Sequence, residues 1–213
     1  MKTEDLVELL ARGTVAVDPR VPRRHLAIAL TAGAVLAVLL MALTLGLRPD
    51  LGTAGSDPMF WVKLAFPAAI ALCAVPLCLR LARPGSAVGR WPWGVALPIL
   101  AIWLLGAAVA LRADPPQRAQ LFWGDTWAVC PLSITLLSMP VFVLLLRATR
   151  SLAPTRPRTI GAVIGLLSGA IGAVAYALHC PETAAPFLAV WYVLGLVTPA
   201  VLGAAIGPRV LRW

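Results

Sequence analysis

Charge is scarce in this chain of 213 residues: 13% of positions are charged, against 60% that are hydrophobic. A soluble domain is roughly half apolar and about a quarter charged, so the composition excludes an ordinary water-soluble globule. Acids are scarcer than bases, nine against eighteen, and none lies at the centre of an apolar run. That argues against a proton-coupled pump, whose path needs buried carboxylates. Histidine occurs twice and cysteine four times, with no recognised metal-ligand spacing. No resident metal or other cofactor is therefore expected. Cysteine pairs at close spacing, which a quinone-coupled thiol oxidoreductase would carry, are missing too. So are the alternating ten-residue segments of an outer-membrane barrel. A secretory leader is not expected either, because Met1 is followed by Glu4, Asp5 and Glu8 where a leader has a short basic region.

What the chain has in abundance is long apolar runs. Six are close to the 20 residues that cross a hydrocarbon core of about 30 Å: Leu26–Gly46, Phe60–Leu81, Trp91–Leu111, Trp127–Leu146, Thr159–Leu178 and Pro186–Ile206. The expected fold is all-α, a polytopic membrane protein of six transmembrane helices embedded in the lipid bilayer. No cleavage pattern follows the first run, so it is expected to stay as an anchor. Lys2, Arg12, Arg20, Arg23 and Arg24 precede the first run; Arg80, Arg83 and Arg90 follow the second; Arg147, Arg150, Arg156 and Arg158 follow the fourth; Arg209 and Arg212 follow the sixth. The opposite side has only Arg48, Arg112 and Arg118. Basic residues stay on the cytoplasmic side, so both termini are expected there. The same count explains the net charge of +9 as topogenic, and no direct nucleic-acid contact is expected. With short connections, the chain divides into a cytoplasmic tail (1–25) and a six-helix membrane domain (26–213).

Two features of the spans stand out. In the fifth, Gly161, Gly165 and Gly169 recur every four residues, followed by Ala173. Such a smooth face admits a neighbouring helix closely; internal packing is the preferred reading and a homo-oligomer contact the other. In the second, Lys63 is the only lysine within a span, about one turn from its outer end. It either snorkels outward or pairs with Asp57, Asp125 or Glu182, all expected on that side.

The cysteines separate into two kinds. Cys73 and Cys78 share the second span but point some 140° apart at about 100° per residue, and read as small apolar filler. Cys130, in "WAVCPLSI", and Cys180, in "LHCPE", are expected at the same outer face. Each precedes a proline, which disrupts a regular helix and could expose the sulfur. The topology permits a Cys130–Cys180 disulfide if their spans adjoin, in an oxidising compartment. A soft-metal response with His179 and Glu182 as tuning groups is the alternative. A catalytic Cys-His pair is the weakest reading, since adjacent residues rarely face each other and no orienting group is evident.

The tail segment "MKTEDLVELLARG" reads as a short amphipathic helix. Asp5 and Glu8 have capping-box spacing, and Leu6, Leu9 and Leu10 form an apolar stripe. Alone it is too short to be stable in water. Its acidic polar face disfavours anionic lipid, so a cytoplasmic protein partner is preferred.

The opening "MKTEDLVELLA", the six spans, "CPLSITLLSMP" and "YALHCPETAAPFLAVWYVLG" together resemble the NrsF family of bacterial inner-membrane anti-sigma factors, over essentially the whole chain. The resemblance implies a non-enzymatic, multi-pass protein of the bacterial inner membrane. Its cytoplasmic N-terminus would hold an extracytoplasmic-function sigma factor inactive, here through Asp5, Leu6, Leu9 and Leu10. Two outward-facing cysteines, which map to Cys130 and Cys180, would release it under oxidative or heavy-metal stress. From the residues themselves rather than from the resemblance, His179, Glu182 and Lys63 are the candidate tuning residues of that pair. The rival classes are a small transporter or metal exporter, whose path would use Ser133, Thr135, Ser138 and Ser168, and a membrane thiol oxidoreductase.

Overall fold

The computed structural model describes residues 3–4, 7–8, 21–83, 89–152 and 154–211. The regular structure among them is entirely helical. The long elements are α1 (Val21–Thr44), α2 (Pro58–Leu81), α3 (Trp91–Arg112), α5 (Cys130–Arg150), α6 (Pro157–Ala177) and α7 (Ala185–Val210), with the nine-residue α4 (Pro115–Trp123) between α3 and α5. The six long ones are apolar and long enough to cross a bilayer. A single helical turn, Leu51–Ala54, interrupts the connection between α1 and α2. Of the tail, Thr3, Glu4, Val7 and Glu8 are helical and exposed; Asp5, Leu6, Leu9 and Leu10 lie outside the described residues.

The span boundaries follow local chemistry. Asp57 caps α2 by accepting from the Met59 amide at 2.9 Å, with Pro58 in the first turn, where its missing N–H costs nothing. The fourth span starts at Cys130 rather than Trp127, because Pro131 sits in the first turn of α5 and residues 124–129 form turns. Proline here therefore begins a helix instead of breaking one. Cys130 is fully buried, not laid open.

α6 is the central helix. Of its most apolar stretch 78% is buried inside the protein, against 11% for the peripheral α3. It contacts α7 most extensively, then α5 and α2. The glycine face is what allows this: a Cβ at Gly161 would overlap the Gly203 carbonyl, and one at Gly165 the Pro199 carbonyl. From the other side, Gly203 lies on the Gly161 carbonyl and Gly207 on that of Pro157. Backbone thus lies against backbone along the half of the pair that runs toward Pro157 and Val210, with dispersion contacts that any larger side chain would prevent. The internal-packing reading of this stripe holds; α7 occupies the face.

α7 is not a uniform α-helix. Leu188–Tyr192 forms one π turn, and such turns leave backbone groups without their usual partners. The Ala189 carbonyl in it accepts from the Trp103 indole of α3 at 2.9 Å. An unmet carbonyl in hydrocarbon costs several kcal/mol, so this indole compensates for the irregularity. At the end of the bundle where Pro22 and Val210 lie, Arg23 and Arg83 line one crevice and Arg158 and Arg209 another.

Candidate functional site

The turn Leu178–Glu182, between α6 and α7, lies at the opposite end of the bundle, and each outer segment grips it. The Leu178 carbonyl accepts from the Arg48 amide at 3.2 Å. His179 Nδ1 is 3.0 Å from the Gly46 carbonyl, so the ring donates there with the proton on Nδ1. The amides of His179 and Cys180 both close back onto the Tyr176 carbonyl. The Glu182 carboxylate accepts from the Asp125 amide at 2.8 Å. Gly124 is needed for that approach: its φ is +51°, and a Cβ there would stand 2.8 Å from the Glu182 carboxyl carbon.

The strongest tie comes from Lys63. Its side chain is fully buried, and Nζ donates to the carbonyls of Cys180 at 2.6 Å and Glu182 at 2.7 Å. The Tyr192 ring faces it at 5.4 Å. Two carbonyl oxygens and a π face all attract positive charge. Neither sequence expectation for Lys63 holds. It does not snorkel, and among the described residues it forms no ion pair; the pair present there is Arg48–Asp50 at 2.6 Å. Asp57 caps α2, and Asp125 contributes its amide rather than its carboxylate. The reason is geometric: residue 63 enters the bundle facing α6, and the unpaired carbonyls of the irregular turn reach it first.

Both sequence-selected thiols are here. Cys130 and Cys180 are free and fully buried. Thr126 joins them: its carbonyl accepts from the Cys130 amide at 2.9 Å and its hydroxyl lies 3.9 Å from the Cys180 sulfur. Lys63 reaches this group through the Cys180 carbonyl. No disulfide joins the two thiols. Cys78 is also buried, but among apolar neighbours, and Cys73 lies against Gly94 of α3.

Both tyrosines of the chain complete the site, and sequence reasoning missed them. The Tyr176 hydroxyl lies against Ser133 and Cys180. Tyr192 is fully buried in the π turn, and its hydroxyl meets no hydrogen-bond partner at ordinary geometry. The signal available was composition: a chain with two tyrosines places one either side of "LHCPE". Above Tyr192, Trp191 donates to the Phe122 carbonyl at 2.8 Å and its ring lies 5.5 Å and 5.2 Å from Trp123 and Trp127. Outside the bundle, Arg48 holds the Asp50 carboxyl below its ordinary range through a two-point hydrogen bond, and the Arg48 guanidinium is raised in turn by Asp50.

The arrangement can do limited chemistry. Among the described residues no group of three or more His, Cys, Asp or Glu side chains is placed to hold a metal. His179 is a structural donor and Glu182 an acceptor for a loop amide. Two neighbouring thiols remain as the reactive groups. Of the four hydroxyls named for a transport path, three bond back to their own helices: Thr135 to Pro131, Ser138 to Thr135 and Ser168 to Ile164.

Comparison with known proteins agrees over the length of the chain. The model of a family described as "Negative regulator of sigma F" matches residues 10–213. The probable anti-sigma-F factor NrsF of Azospira oryzae is 47% identical over 213 residues, covering all of both chains. The anti-sigma-F factor NrsF of Caulobacter vibrioides is 40% identical over 219 residues, again covering all of both. No solved structure matches. With the family matched across its spans and thiol turn alike, the chain belongs to the NrsF family.

Proposed function

We propose that this protein is a membrane-bound anti-sigma factor that holds a sigma factor of the extracytoplasmic-function class at the inner membrane and lets it go when Cys130 and Cys180 react. The arginine-rich end and both termini face the cytoplasm, and the thiol turn faces outward. The resting partner is gripped by the tail helix through Leu6, Leu9 and Leu10, with Asp5 capping it. The observation that carries the sensing half is the pair of free, buried thiols at the one turn that every outer segment grips. The likeness to proteins named anti-sigma-F factors carries the regulatory half.

Two reactions suit the pair. Joining the sulfurs releases two protons and two electrons to an oxidant such as a peroxide or quinone. Ligation of a soft divalent cation displaces the two thiol protons instead. Either draws the two sulfurs onto a common partner or onto each other, and so places a new constraint on the turn that carries Cys180. A hundredfold change in retention needs about 2.7 kcal/mol, and a disulfide typically supplies about 2–4 kcal/mol of constraint.

The test has two arms. Co-purification of cytoplasmic proteins with the membrane protein, with and without residues 1–20, should recover a sigma factor only when the tail is present. Replacing Cys130 and Cys180 with Ser should leave that capture intact and abolish induction of target promoters by oxidant or metal. Normal induction in the double variant would overturn the sensing role.

A further inference from the structure

Lys63 is one of only two lysines in the chain, with Lys2, and it is the only charged residue among the buried positions of the described structure. Burying a charged group in a span is costly, so such residues mark function by default. This one touches neither solvent nor a carboxylate. All of its polar contacts go to one turn: the Cys180 carbonyl at 2.6 Å and the Glu182 carbonyl at 2.7 Å, across 117 and 119 residues of sequence. The Tyr192 ring closes the third side. Charge-assisted bonds of this kind are about twice as strong as neutral ones, and a medium without water strengthens them further.

Position makes this more than a packing contact. The carbonyl that Lys63 holds belongs to Cys180 itself, so any reaction that moves the Cys180 backbone moves the acceptor. At the far end of α2, Arg80 lies in the last turn, and Arg83 follows the helix and lines the crevice with Arg23. α2 also packs along α6, the central helix. A change at the turn and a change at the arginine-rich end are therefore joined by one rigid element. By chain connection alone, Cys130 belongs to α5 and Cys180 to the turn between α6 and α7.

We propose that Lys63 is the positioning residue of the thiol site: it clamps the Cys180–Glu182 turn to α2, and reaction of the thiols breaks the clamp, freeing α2 and with it the end of the bundle that grips the partner. The inference rests on the sensing role of the two cysteines. It predicts that the clamp acts after the cysteines, so that removing it mimics the signal whether or not they are present.

The experiment uses the full-length protein in membranes. Lys63→Met should release the partner without stress, lowering its capture at least tenfold, and should raise alkylation of Cys180 by a maleimide about tenfold in a background lacking Cys73, Cys78 and Cys130. Lys63→Arg, which keeps the charge, should restore part of both. Adding Cys130→Ser and Cys180→Ser to Lys63→Met should not restore capture. A Lys63→Met protein, present at normal level, that holds its partner and still responds to oxidant would overturn the clamp while leaving the cysteine role standing. If the cysteine double variant alone is induced normally, the sensing reading falls instead. Because Lys63→Met leaves two carbonyls unmet, a second measurement uses the unaltered protein. With only two lysine side chains to assign, dimethyl labelling of amines read by mass spectrometry should find Lys63 inert at rest and labelled severalfold more after oxidant treatment. No such rise should occur in the Cys130→Ser, Cys180→Ser protein. Labelling that stays unchanged while the partner is released would overturn the clamp as well.

Discussion

The two ends of α6 are held by opposite means. Along its N-terminal half, Gly161 and Gly165 lie directly on the carbonyls of Gly203 and Pro199; nothing polar is exchanged and nothing can be repacked. At its other end the chain leaves the helix, and five residues are held by hydrogen bonds from three separate segments. Close packing of backbone is permanent, because any added atom meets an immovable neighbour. A hydrogen-bonded turn is conditional, because each bond holds only while donor and acceptor stay aligned. The comparison teaches that burial alone does not mark the working end: Gly165 and Lys63 are both buried, and only one of them can let go.

The comparison can be broken first at the seam. Gly165→Leu should abolish accumulation of folded protein, to below a tenth of the parent level by membrane immunoblot, since its side chain has no space beside the Pro199 carbonyl. A smaller effect is expected where the polar scaffold meets the π turn. Trp103→Phe removes the donor to the Ala189 carbonyl and should cost about 1–3 kcal/mol, the cost of a buried acceptor left unmet, read as a lower unfolding midpoint in detergent. At the turn itself, Gly124→Ala should leave the protein folded but push the Asp125 loop off the Glu182 carboxylate, giving a severalfold rise in Cys180 alkylation. The smallest effect belongs to Arg48 and Asp50. The folded-state pKa of Asp50 is lowered, so its contribution is present above the ordinary value of 3.8 and is lost as pH falls below that value. Arg48 is raised above its already high ordinary value by its hydrogen bond to Asp50, so its share is full throughout the accessible range. Acid titration of the parent should therefore show a small, salt-screened loss of stability below about pH 4 that Asp50→Asn lacks.

The spans were legible because runs of about 20 apolar residues have few other meanings. The glycine face was legible for the same reason: spacing of four on a helix states which residues share a side. Cys130 and Cys180 could be assigned to one end from alternation of six spans alone. Their burial could not, since it depends on Thr126, Tyr176 and Tyr192 arriving from other parts of the chain. The partners of Lys63 were illegible in principle. They are backbone carbonyls, which every residue carries, and only the irregular course of residues 178–184 leaves them unpaired. Sequence reasoning looked for a carboxylate and named three. α4 and the π turn were missed because nine residues with two leading prolines, and one extra residue in a long apolar helix, leave almost no mark in composition.

The contacts at the turn also order the assembly of the protein in time. They join residues 57, 117, 119 and 133 positions apart, and loops of that length close only after the chain between them is in place. Gly46 lies after the first span, Lys63 in the second, Asp125 before the fourth and Cys180 after the fifth. A chain that has inserted only some of its helices can hold the glycine seam in prospect but cannot shield its thiols. The hydrogen bonds of the turn thus wait for the fifth span, and the cover over Cys180 waits for Tyr192 in the sixth, so a half-threaded copy is distinguishable from a finished one by the reactivity of a single sulfur.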